Sequence, residues 1–94
     1  MPDITTAEQI DQVCRNLADF LKEKNRRYGD SALKPRNTFY KGDAQNSILI
    51  RLDDKLNRIQ NASQIKKNDC LDITGYLVLL MVNNEWTDFS EFLD

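Results

Sequence analysis

The sequence predicts an all-α fold: a small bundle of three main helices plus a short C-terminal helix, a single domain over residues 1–94, completed by oligomerisation. Three observations carry this. Apolar residues recur at three- and four-residue intervals in three long segments. Residues suited to capping open the first two of those segments. No run alternates apolar and polar residues as a half-buried strand would.

The first helix opens on Thr5-Thr6-Ala7-Glu8, a capping box in which the Thr5 hydroxyl reaches the Glu8 amide and the Glu8 carboxylate reaches back. Ile10, Val13, Cys14, Leu17, Phe20 and Leu21 then follow at helical spacing. The helix runs on through "KEKNRRY" to Gly29, a residue able to take the left-handed terminating conformation. Its basic end, with Lys22, Lys24, Arg26 and Arg27, suits the helix dipole.

Residues 29–43, "GDSALKPRNTFYKGD", hold two glycines and a proline with no sustained period, and read as a long loop of the kind that carries function. Lys34, Arg36 and Lys41 interleave there with Phe39 and Tyr40. A base can stack on such aromatics while the cations hold phosphate. The plainer expectation is that Leu33 and Phe39 pin a connecting loop to the core.

Asp43 caps a second helix over residues 44–61. After the polar break "NASQIKK" a third helix starts near Asn68 and ends at Asn83-Asn84. Its second half, "YLVLLMV", is apolar on nearly all sides, which makes it the expected central and most buried helix. Gly75 inside it costs about 1 kcal/mol relative to Ala and so marks a close helix–helix approach. In the tail, Thr87 is the expected cap, with Trp86, Phe89, Phe92 and Leu93 docking as a short final helix.

Composition narrows the function. The chain is 40% hydrophobic and 30% charged, with a net charge of -2, which argues against sequence-blind nucleic-acid binding. A local basic pocket for a phosphorylated small molecule remains open. The first residues, "MPDITTAEQIDQ", lack the apolar stretch of a secretory signal, and "YLVLLMV" is far too short to span a bilayer. The expectation is a cytoplasmic protein with no membrane partner. Cys14 and Cys70 each fall in an apolar helical pattern and read as small core residues of a reduced protein. With no histidine and no cysteine cluster, zinc sites and histidine-based triads are excluded, leaving carboxylates as the only metal ligands. No cofactor is expected.

The most informative stretch is "RLDDKLNRI", Arg51 to Ile59. At about 100° per residue, Lys55 projects within about 20° of Ile48 on the apolar face, with Arg51 and Arg58 just beyond it. Charges set against a core demand partners. Asp69 and Asp72, three apart at the start of the third helix, supply them if the two helices pack antiparallel. This constellation reads either as an ion-pair network fixing helix register or as a phosphate site whose cations the aspartates orient.

"KNRRYGDSA", "IRLDDKLNRIQ" and "NDCLDITGYLVLL", in that order, resemble small phage and bacterial proteins of the nucleotide modification associated domain type, over roughly residues 22–82. The resemblance implies a nucleotide ligand and a bacterial host cell. The chain is also distantly similar to the MazG-like all-α nucleoside triphosphate pyrophosphohydrolases, which hold magnesium with carboxylates on two successive helices. Laid on this sequence, two of the ligand glutamates fall on Lys55 and Arg58, while Asp69 and Asp72 keep their acidity. Magnesium needs hard oxygen ligands and is repelled by an ammonium and a guanidinium, whereas Lys and Arg can neutralise phosphates directly.

The resemblance therefore implies a non-catalytic protein that binds a nucleotide or cyclic nucleotide, sequestering an immune signal as an anti-defence sponge, and that acts as a homo-oligomer. Arg51, Lys55 and Arg58 are the expected phosphate ligands. Tyr28 and Phe39 or Tyr40 are expected to stack on the base, and Asp69, Asp72 and Tyr76 to make polar contacts. The alternative is a magnesium-dependent (d)NTP pyrophosphohydrolase; a third reading is an inhibitor of a host defence protein.

Overall fold

The computed structural model describes residues 3–29 and 43–93. Among them are three α-helices, one 3-10 turn and no strand. α1 is Thr6–Tyr28, α2 is Ala44–Gln60 and α3 is Lys67–Asn83.

Each boundary has a local cause. The Thr5 hydroxyl accepts from the Glu8 amide at 3.1 Å, so a free donor of the first turn of α1 is satisfied. At the other end Gly29 adopts φ 57, and its amide donates to the Asn25 carbonyl. Only a residue without Cβ takes that left-handed turn cheaply. Asp43 caps α2 by accepting from the Asn46 amide at 2.8 Å. α3 begins at Lys67, a residue earlier than its sequence suggests, because Asp69 reaches back to accept from the Lys66 amide at 3.0 Å.

α2 and α3 form an antiparallel hairpin joined by residues 61–66, and α1 packs on α3 over a shorter stretch. α3 is thus the central helix, as its composition predicts. The α1–α3 contact is made at Gly75, which is buried; a Cβ built there would lie 3.2 Å from Leu21 Cδ2. α1 comes close enough that a larger residue there would have to push the Leu21 side chain aside by a few tenths of an ångström.

The core is thinner than the sequence suggests. Ile48, 2% exposed, is the one apolar side chain fully buried among the described residues. α3 is central but only half-buried along most of its length, and Leu77 and Val82 stay exposed. Cys14 and Cys70 are exposed rather than core residues. For Cys14 the reason is plain: nothing in the described chain covers the first half of α1, where Ile10 and Val13 are 59% and 65% exposed.

The tail also departs from expectation. It forms a single 3-10 turn, Ser90–Phe92, with Phe89 and not Thr87 at its cap position; just before it, the Ser90 amide and hydroxyl donate to the Asp88 carboxylate at 3.2 and 2.9 Å. Trp86, Phe89, Phe92 and Leu93 remain exposed instead of docking. Among the described residues no helix is long and apolar enough to cross a membrane.

Candidate functional site

Lys55 meets both aspartates. Its ammonium lies 3.0 Å from Asp69 Oδ1 and 3.0 Å from Asp72 Oδ2, with its side chain 14% exposed. α2 supplies the cation from its second half and α3 supplies the acids from its first two turns, so the antiparallel hairpin brings them together. The second Asp69 oxygen is the one that caps α3. One carboxylate thereby ties the helix start to the neighbouring helix.

The electrostatics follow the geometry. Hydrogen bonding to Asp69, and then to Asp72, holds the Lys55 ammonium above its ordinary range against the opposing effect of burial. The same bond to Lys55, helped by the Lys66 amide, holds the Asp69 carboxyl below the usual carboxylate range. A charge that would be costly alone at the edge of the core is satisfied by two partners.

Arg58 does not join this network. Its guanidinium reaches Asp54, one turn back on its own helix, at 3.1 Å, and both side chains are largely exposed. Arg51 lies instead on a cleft of about 310 Å³ between α1 and the α2–α3 hairpin. Phe20, Lys24 and Tyr28 of α1 line it, with Arg51 of α2 and Asp72 and Tyr76 of α3. The volume is at the lower end of small-molecule pockets.

Of the expected site residues, the structure gathers Arg51, Tyr28, Asp72 and Tyr76 around this cleft. Asp72 links the cleft to the ion-pair network, since one of its oxygens holds Lys55. Lys55 and Asp69 sit behind it as a bonded pair, and Arg58 is on the outer side with Asp54. Phe39 and Tyr40 lie outside the described residues.

Lys24 and Phe20 are among the lining residues that the sequence reading did not place in the site. Lys24 stands with its ammonium 5.5 Å from the centre of the Phe20 ring, a cation–π distance. Its charge was absorbed into the helix-dipole account of the α1 terminus. The signal was available: at about 100° per residue Lys24 falls about 20° from Leu17 on the apolar stripe, the same anomaly that singles out Lys55. Phe20 reads from spacing alone as core, and only the shape of the cleft makes it a wall.

Chemically, the cleft offers aromatic faces, two cations and one carboxylate. Among the described residues no group of three or more His, Cys, Asp or Glu side chains is arranged to hold a metal ion. Comparison with known proteins finds no matching family, no curated relative and no similar solved structure.

Proposed function

We propose that the cleft binds a nucleotide or cyclic nucleotide and holds it without altering it. The observation that carries this reading is the convergence of Phe20, Tyr28 and Tyr76 with Lys24 and Arg51 in one small cleft. Ring faces suit a base, and a guanidinium and an ammonium suit phosphate oxygens. Asp72 is placed to accept from a sugar hydroxyl or an exocyclic amine.

The ion-pair network supports the non-catalytic half of the proposal. Asp69 and Asp72 are the acids a metal-dependent hydrolase would use, and both are already bonded to the Lys55 ammonium. A divalent cation would have to displace that ammonium and would then face its charge. Lys55 acts here as a positioning residue: it fixes Asp72 at the cleft edge while Arg51 and Lys24 meet the phosphate.

The test is a thermal-shift and calorimetric screen of the chain against mononucleotides, dinucleotides and cyclic dinucleotides, with and without magnesium, each hit being recovered and identified. At least one nucleotide is expected to raise Tm without magnesium and to return intact. Arg51→Ala should weaken it about tenfold or more, the scale of one hydrogen bond to a charged group. Absence of any shift sinks the reading, as does recovery of a hydrolysed product only when magnesium is present.

A further inference from the structure

The first half of α1 has a face that the other described residues do not cover. Over residues 6–21 the charged side chains are Glu8, Asp11, Arg15 and Asp19. At about 100° per residue they fall within about 80° of the helix circumference. Ile10, Val13, Leu17 and Phe20 fall within an equal arc centred about 180° away. α3 meets α1 at Leu21, on one edge of that stripe, through Gly75. Ile10 and Val13 beyond it are exposed.

A helix draws most of its stability from packing such a face. This stretch is nevertheless helical throughout and capped at its start. An apolar stripe opposite a confined charged arc is the pattern of a helix face that packs against a partner.

The charge pattern along α1 says what the partner is. From Asp3 to Asp19 there are four acids, Asp3, Glu8, Asp11 and Asp19, against Arg15 alone. From Lys22 to Arg27 there are four bases, Lys22, Lys24, Arg26 and Arg27, against Glu23 alone. The helix is acidic at one end and basic at the other, so it complements a copy of itself laid antiparallel and repels one laid parallel.

We propose that two copies of this chain associate through α1, antiparallel and about a two-fold axis. The apolar layers then close on themselves: Ile10 of one copy meets Phe20 of the second, and Val13 meets Leu17. Each layer recurs by symmetry, as an isologous contact requires. In that register Asp3 and Glu8 of each α1 run beside Arg27 and Lys22 of its partner, within a Debye length, whereas Asp11 and Asp19 lie level with each other on the arc turned away from the seam. The seam shares Phe20 with the cleft wall, and the association does not rest on which ligand the cleft takes.

Sedimentation equilibrium of the full chain at about 100 μM, a concentration that populates even a modest dimer, is the first test. The expected mass is twice the 10.9 kDa of one chain, falling to one chain for Val13→Glu with Leu17→Glu. A second arm does not depend on those variants folding. In a Cys14→Ser, Cys70→Ser background, Ile10→Cys with Phe20→Cys should oxidise to a covalent dimer. The two positions are about 15 Å apart along one helix, too far to bridge within a chain, and Ile10→Cys alone should form no covalent dimer. A wild-type monomer overturns the proposal, as does a dimer that survives both glutamates or one that Ile10→Cys alone can cross-link.

Discussion

The α2–α3 hairpin and α1 hold comparable apolar stripes and have very different fates. The hairpin closes on itself: Ile48 is buried, Lys55 is fixed by two carboxylates, and Asp69 both caps α3 and grips α2. α1 is longer, but it touches the rest through the neighbourhood of Gly75 and leaves Ile10 and Val13 in solvent. Chain connection explains part of the contrast. A connection of a few residues makes an antiparallel neighbour of the next helix almost unavoidable, whereas residues 29–43 separate α1 from α2. The comparison teaches that helical periodicity announces a face to be buried and says nothing of whether the same chain buries it.

The largest expected effect tests the hairpin's claim to be the folded unit. Ile48→Ala removes the one apolar side chain fully buried among the described residues and should cost about 3 kcal/mol in urea unfolding. Ile10→Ala deletes the same atoms from α1. Measured too dilute for copies to pair, it should stay within about 0.5 kcal/mol of wild type. Equal costs at the two positions would erase the distinction between the regions.

The ion-pair network makes the same comparison through pH. Asp69 has its folded pKa lowered, so its contribution is complete above the ordinary carboxylate range near 3.8 and is lost as pH falls through the lower folded value. Lys55 has its folded pKa raised, so its contribution is complete below the ordinary 10.5 and is lost as pH rises through the higher folded value. Hairpin stability should therefore plateau between these limits and fall at both ends. Lys55→Met should abolish the Lys55 part of the alkaline fall and move the acid fall to higher pH, because Asp69 then titrates without its ammonium. Urea midpoints across pH for the two proteins decide it; superimposable alkaline limbs would show that Lys55 contributes nothing.

How much of this was legible depends on which force sets each feature. The all-α class, the caps at Thr5 and Asp43, the stop at Gly29 and the close approach at Gly75 are local or nearly local, and all are readable in the residues. The pairing of Lys55 with Asp69 and Asp72 was readable too, because a cation on an apolar face needs an acid and only one connection was short enough to supply it. Arg58 was not, since a free choice between Asp72 across the hairpin and Asp54 one turn back is settled by side-chain geometry. Lys24 was marked by its place on the apolar stripe, but the cleft that it lines with Phe20 was illegible for a different reason. It depends on the angle at which α1 leaves α3, which no periodicity encodes. The undocked tail was misread similarly: Trp86, Phe89 and Phe92 have the composition of a docking segment, yet all three stay exposed.

The smallest effect sharpens the comparison most, because it asks whether the free half of α1 folds with the hairpin or apart from it. Thr5→Ala deletes the hydroxyl that accepts from the Glu8 amide, at a cost of about 1 kcal/mol. In the Val13→Glu, Leu17→Glu background, where no second copy supports the helix, that cost should remain local. Amide exchange in the first turns of α1 should quicken roughly fivefold, while the urea midpoint of the hairpin stays put. If the midpoint moves by the full amount instead, α1 and the hairpin melt as one unit. The exposed stripe would then be a surface that the single chain tolerates, and not a seam awaiting its partner.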